Sequence, residues 1–183
     1  MNAGAARGGH RIGPCHAFGT YVGWLTPFNS RLVLVLPEPA PAALTEAVTQ
    51  LIRIGYERVE GYLDGGLDAW RSSGRPTRSY RTAAVYDVCH AYLEGVPIQV
   101  LDVRQWGEWD SGRVPGSLHI HLGDLPDRLA ELPKDREIWT ACASGHRASI
   151  AASLLDRAGV PVRLVGKGGV PERLARCYPR AGV

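Results

Sequence analysis

Apolar and polar positions alternate along this chain at strand and helix lengths rather than in one long block. Val96-Pro-Ile-Gln-Val-Leu-Asp-Val103 and Glu137-Ile-Trp-Thr-Ala-Cys142 are runs of apolar and β-branched residues that end at polar ones, the pattern of strands buried on both faces. Cys142 is followed by a loop containing Gly145. Beyond it, Arg147-Ala-Ser-Ile-Ala-Ala-Ser-Leu-Leu-Asp-Arg-Ala158 carries the Ala and Leu content of a helix, stopped by Gly159. A further strand, Val160-Pro-Val-Arg-Leu-Val165, leads into Gly166-Lys-Gly-Gly169. Strand, helix and strand in that order predict a βαβ unit, hence a parallel sheet with a right-handed crossover.

The same order occurs once earlier. Leu32-Val-Leu-Val-Leu36 precedes a helical stretch from Ala42 to Ile54, closed by Gly55, and then come Tyr56-Glu-Arg-Val-Glu-Gly-Tyr-Leu63 and Gly65-Gly66. Aligning Gly55 with Gly159 and Gly66 with Gly169 indicates an internal duplication with a spacing of about 103 to 104 residues. The cluster Ser72-Ser-Gly-Arg-Pro-Thr-Arg78 reads as the boundary. We therefore expect two domains, 1–78 and 79–183. The first is short of an opening strand and helix. Because a bare parallel sheet edge is a liability, either a second copy (a homodimer) or a partner from a longer parent protein is expected to complete it.

The 183 residues are 45% hydrophobic and 21% charged, which suits a soluble globular chain and argues against disorder. No apolar run approaches the roughly 20 residues that span a bilayer, and the start of the chain lacks the apolar core of a secretory signal. Cytoplasmic location is the default that follows. A net charge of +3, with arginines spread through both halves, gives no basic block for nucleic acid. The four cysteines, Cys15, Cys89, Cys142 and Cys177, are widely separated and show no metal-knuckle or dithiol spacing, so reduced thiols are expected. Five scattered tryptophans are expected to pack the sheet and helices rather than to form a platform.

Candidate chemistry centres on Cys142. A cysteine attacks as its thiolate, and a free thiol with a pKa of about 8.5 is mostly protonated at neutral pH, so a nucleophilic cysteine needs positive potential around it. Cys142 sits at the carboxyl end of a predicted parallel strand, with a tight turn and a helix N-terminus beyond it, where open α/β sheets place ligands. His146 and Arg147 add cationic donors, and Gly145 lets the backbone curl so that these groups converge. Packing as a small buried hydrophobe is the commoner fate of a single cysteine.

Leu101-Asp-Val-Arg104, Glu108-Trp109, Gly112-Arg-Val-Pro-Gly-Ser117, Cys142-Ala-Ser-Gly-His-Arg147 and Gly168-Gly169 occur in the order found in the rhodanese family, and residues 83–173 resemble it. The resemblance implies an α/β fold, a rhodanese-like parallel sheet with helices on both faces, preceded here by an incomplete rhodanese-like half. It implies a sulfurtransferase in which Cys142 becomes a persulfide. A small sulfur-containing anion such as thiosulfate, or a persulfide, would be the donor and a thiol or cyanide the acceptor. Ala143, Ser144, Gly145, His146 and Arg147 would cradle the substrate, Arg104 would join them, and Asp102 would support the loop. No metal and no organic cofactor is implied.

The sequence departs from the family pattern at Arg113, where His is usual, at His119 and His121, where Asn and Pro are common, and in lacking a Trp after Gly168-Gly169. The first copy keeps that ending, as Gly65-Gly-Leu-Asp-Ala-Trp70, but has Pro37-Glu38 where the second has Cys142, so it is expected to be silent. Its residues 18–27 resemble tandem rhodaneses fused behind metallo-β-lactamase-fold, persulfide-dioxygenase-like hydrolases. A metal reading of His119, His121 and Asp124 fails because the spacing is not that of the hydrolase motif. A cysteine phosphatase or arsenate reductase would need Cys-x5-Arg, whereas this loop is Cys-x4-Arg with Ala148 in the arginine's place. A binding or sulfur-carrier module without turnover is the other alternative. Arg113 is either a rim residue for anionic donors or a solvated charge.

Overall fold

The computed structural model describes residues 5–6, 16–38, 40–167 and 170. The chain divides into two compact units, Gly4–Arg78 and one that begins at Ser79. Cys15, Gly168, Gly169 and Cys177 lie outside the described residues. Among those described, no helix is long and apolar enough to cross a membrane.

The amino-terminal unit contains β1 (Ala5–Ala6), α1 (Phe18–Leu25), β2 (Leu32–Leu34), α2 (Ala40–Arg53), β3 (Val59–Tyr62), α3 (Gly66–Ser72) and β4 (Thr77–Arg78). β2 and β3 are parallel and β1 pairs with β4 antiparallel. Leu34, Leu36, Ala47, Leu51 and Tyr56 form its core with Phe18 and Val22 of α1. The strands alternate: Leu34 and Leu36 point inward, whereas Val33 and Val35 are exposed, 68% and 45%. Val33 and Val35 thus leave apolar surface of this segment open to solvent.

The second unit contains β5 (Arg81–Ala84), α4 (Val85–Leu93), β6 (Ile98–Asp102), α5 (Trp106–Asp110), β7 (Leu118–His119), α6 (Leu125–Arg128), β8 (Glu137–Ala141), α7 (His146–Arg157) and β9 (Val162–Lys167). Five parallel strands lie in the order β5-β9-β8-β6-β7. In register, Val100 pairs with Trp139 and Asp102 with Ala141. Ile98, Val100, Trp139, Ala141 and Val165 pack with Val85, Val88 and Ala91 of α4 on one face. On the other face the Thr140 hydroxyl donates to the Ala148 carbonyl of α7 at 3.0 Å. Helices therefore cover both faces, and β8 is buried on both, as its unbroken apolar run predicts. Strands start later than the apolar runs suggest: β6 at Ile98 and β9 at Val162, each just after a proline, which has no N–H to give the ladder.

The two units repeat one device. After α2 the Tyr56 N–H bonds the Leu51 carbonyl at 2.9 Å, and after α7 the Val160 N–H bonds the Leu155 carbonyl at 3.0 Å. The intervening Gly55 and Gly159 have φ of +82° and +76°. This wide turn across a left-handed residue closes both helices on a buried leucine, and only glycine adopts it without strain. Cys89 of α4 is disulfide-bonded, against the expectation of reduced thiols.

Candidate active site

β8 ends at Ala141, and Cys142 opens the turn that leads into α7. Gly145, at φ +89°, reverses the backbone so that the amino end of α7 faces the sulfur. Two amides donate to Cys142 Sγ: Gly145 N–H at 3.1 Å and Ala148 N–H at 3.4 Å. These are unpaired donors of a helix's first turn, where the peptide dipoles leave positive potential. The geometry favours negative charge on sulfur without needing a cationic side chain in contact with it. The residue is 2% exposed and its thiol is free. A Cβ at Gly145 would lie 3.1 Å from the Gly166 carbonyl oxygen of β9. Gly145→Ala is therefore expected to destabilise the unit by about 1–2 kcal/mol through the left-handed φ, more once Gly166 shifts, with a lower Tm in thermal unfolding as the check.

The other expected site residues fall into two groups. Ala143 is half-buried, Ser144 and His146 are exposed, and the Ser144 hydroxyl lies 3.2 Å from His146 Nδ1 at the mouth of the loop. Arg147 forms a two-pronged pair with Glu108 of α5, its Nη2 donating to Oε1 at 2.8 Å. Glu108 was visible in the sequence only as part of a motif, and its tie to Arg147 was not anticipated. The Arg147 guanidinium holds the Glu108 carboxyl below the usual carboxylate range, against a smaller opposing effect of burial. A depressed carboxylate pKa means that the pair contributes fully above the ordinary value of about 4.3 and is lost as pH falls through the lower, folded value. Glu108→Gln is thus expected to cost about 1–2 kcal/mol at neutral pH and to flatten the acid limb of Tm against pH.

Arg104 needs correcting. Expected to bind substrate, it is fully buried, and its guanidinium donates to both oxygens of Asp102, Nε to Oδ1 at 2.9 Å and Nη2 to Oδ2 at 2.7 Å, and to the Gly112 carbonyl at 2.7 Å. A guanidinium so enclosed braces the loop and does not reach an incoming anion. Asp102, expected as support, also accepts the Arg104 backbone N–H at 3.0 Å. Between them, Val103 N–H bonds the Ala141 carbonyl next to Cys142 at 3.0 Å.

The expectation that the tryptophans only pack the interior also fails. Trp106 is 68% exposed. His119 stacks on Trp109 with centroids 4.8 Å apart and 19° between planes, and meets Trp106 at 5.4 Å. Arg113 places its guanidinium over Trp109 at 5.4 Å. The parallel pairing of Asp102 with His119 brings these residues together, which spacing along the chain could not reveal. His119 Nε2 lies 2.8 Å from the Arg104 carbonyl oxygen. His121 is held neutral to lower pH than usual, chiefly by burial. Among the described residues, no cluster of three or more His, Cys, Asp or Glu side chains is placed to hold a metal.

In the amino-terminal unit, Pro37 and Glu38 stand at the corresponding strand end. The Glu38 carboxylate accepts the Ala40 N–H of α2 at 3.1 Å. A carboxylate caps the helix where the second unit has a thiol.

The family profile described as rhodanese-like domain matches residues 86–172. YtwF of Bacillus subtilis, which carries a sulfurtransferase name, is 36% identical over 78 residues, 43% of this chain and 73% of that protein. YrkF of the same organism, named as a sulfur carrier protein, is 37% identical over 62 residues; the match spans about a third of each protein, 34% of both lengths. A rhodanese-like domain protein from Staphylococcus aureus is 26% identical in a structural match covering 48% of this chain and 86% of that one, with a TM-score of 0.46. On the match to YtwF and on the profile, whose matched residues include Cys142 and its loop, this chain belongs to the rhodanese-like family.

Proposed function

We propose that this chain moves sulfane sulfur from thiosulfate or a persulfide to a thiol or cyanide acceptor through a persulfide on Cys142. The observation that supports this most is the pair of helix-end amides on Cys142 Sγ, because they favour a thiolate and remain in place to receive the sulfur chain that replaces it. In the first step the Cys142 thiolate attacks the outer sulfur of the donor. The donor's S–S bond breaks, a new S–S bond forms, and sulfite leaves from thiosulfate or a thiolate from an organic persulfide. In the second, an acceptor thiolate or cyanide attacks the outer sulfur and restores the Cys142 thiolate. Neither step has net redox change, so the chemistry calls for no metal or organic cofactor.

Ala143, Ser144, Gly145 and His146 line the path to the sulfur in this reading, and Arg147 and Asp102 act through the loop they brace. The amides act as an oxyanion-type cradle for developing negative charge, worth a few kcal/mol of barrier. The first unit is a silent duplicate that offers Glu38 in place of a thiol, and its open Val33 and Val35 face supports completion by a second copy or a parent-protein partner.

The test is intact-protein mass after incubation with thiosulfate. A gain of about 32 Da, reversed by cyanide or a thiol, is expected. No gain in folded, reduced protein would overturn the reading. A carrier without turnover is the second reading, favoured by the 2% exposure of Cys142; it predicts one sulfur per chain and no multiple cycles when donor and acceptor are both in excess.

A further inference from the structure

Cys89 takes no part in the chemistry at Cys142, yet its sulfur is engaged: Cys89 is disulfide-bonded, while Cys142 is free. The chain has four cysteines, so a partner within the chain is either Cys15 or Cys177. Cys89 lies on the inner side of α4, 7% exposed, in the same buried cluster as Val85, Val88, Val100 and Val170. Val170 is helical and 2% exposed, and its N–H donates to the Cys142 carbonyl at 3.4 Å. One residue beyond β9 therefore joins the packing around Cys89 to the backbone of the thiol loop. Cys177 follows Val170 by seven positions, which is two turns of a helix and returns to the same face. Pro171 and Pro179 bracket that stretch where a helix tolerates proline at its start and stops ahead of one. Cys15 instead stands three positions before Phe18, which packs in the core of the amino-terminal unit.

We infer that the bond is Cys89–Cys177 and that it is a redox-sensitive tether, holding the chain beyond β9 on α4 and, through Val170, behind the thiol loop. The inference stands whether or not Cys142 transfers sulfur. The bond closes most of the second unit into one loop, and a long closed loop restricts the unfolded chain strongly. A small thiol opens it in two exchanges. The first thiolate attacks one sulfur of the bond, forming a mixed disulfide and releasing the other cysteine as its thiolate. A second thiolate attacks the mixed disulfide, which leaves Cys89 and Cys177 reduced and protonated and the two small thiols joined as their disulfide. The same small disulfide is the oxidant when the tether closes again.

The experiment begins with peptide mapping of the full chain, purified without reductant and alkylated before digestion. The Cys89 and Cys177 peptides are expected to be linked, with Cys15 and Cys142 alkylated. A Cys15–Cys89 link, a link between two copies, or alkylated Cys89 would overturn the pairing. In mixtures of reduced and oxidised glutathione the link should open and close reversibly, and a bond that excess reduced glutathione leaves intact would overturn the redox sensitivity. A phosphine reductant is expected to lower the Tm of the wild type by about 10 °C and to speed alkylation of Cys142 by iodoacetamide several-fold in the folded protein. Cys177→Ser should show both effects without reductant and no further change with it, whereas Cys15→Ser should behave as the wild type. Equal rates of Cys142 alkylation in the closed and open forms of the wild type would overturn the connection to the thiol loop.

Discussion

Cys142→Ser is expected to abolish sulfur loading, with no gain of about 32 Da from any donor and turnover down at least about 1,000-fold, the scale seen when a covalent nucleophile is removed. The serine hydroxyl is the same size class as the thiol and still accepts hydrogen bonds. It can therefore keep the Gly145 and Ala148 N–H groups occupied, and the variant should fold with stability changed by no more than about 1 kcal/mol. What is lost is chemistry, since an alcohol is far less acidic than a thiol and forms no persulfide. One control matters. Two added oxygens weigh nearly the same as one sulfur, so the wild-type gain must be removable by cyanide, which takes sulfur and leaves sulfinate untouched. A cyanide-labile gain that persists in Cys142→Ser would place the reactive sulfur elsewhere and sink the assignment.

Asp102→Ala is expected to be the most destabilising single change in the site. It leaves the Arg104 guanidinium, wholly buried, facing a small apolar side chain, and removing one member of a buried ion pair costs about 3–5 kcal/mol because the other charge remains uncompensated. For a unit of this size that corresponds to a fall in Tm of about 12 °C or more. The destabilisation should also reach the thiol loop, because the pair anchors the Gly112 carbonyl and sits either side of the Val103 bond to Ala141, the last residue of β8 before Cys142. Arg104→Ala likewise leaves the Asp102 carboxylate buried without its counter-charge, and the double variant, which removes both charges, should be far less destabilised than the two single losses added together. Thermal melts of the four proteins check this. A loss below about 1 kcal/mol in Asp102→Ala would mean that water reaches the pair and that it does not brace the loop.

Much of the second unit was legible from local pattern. The buried strands, the helix after Cys142 and its stop at Gly159 follow from runs of apolar residues and from glycine's access to left-handed backbone, which are properties of short segments. The strand starts were misjudged wherever proline stood within an apolar run, as at Pro97 and Pro161, because hydropathy does not register a missing N–H. Cys142 was singled out by the motifs that surround it in family order, because position between a buried strand and a glycine-led helix suits a packed small side chain equally well. The partners of Arg104 and Arg147 were not, and reading both as substrate ligands overlooked that each lies within reach of a carboxylate. In Arg104 that carboxylate is two residues away, yet pairing there depends on both side chains being shut off from water by the surrounding loop.

The sequence by itself determined the order of strands and helices in the second unit and the place of Cys142 between a buried strand and a glycine-led helix, because these rest on interactions between residues near one another in the chain. Tertiary structure decided what the charges do and where the exposed aromatic surface lies. Parallel pairing of β6 with β7 sets His119 beside Trp106 and Trp109, and packing of α5 against the thiol loop gives Arg147 to Glu108. Burial and distance fix the strength of those interactions, and neither exists until strands far apart in the chain have come together.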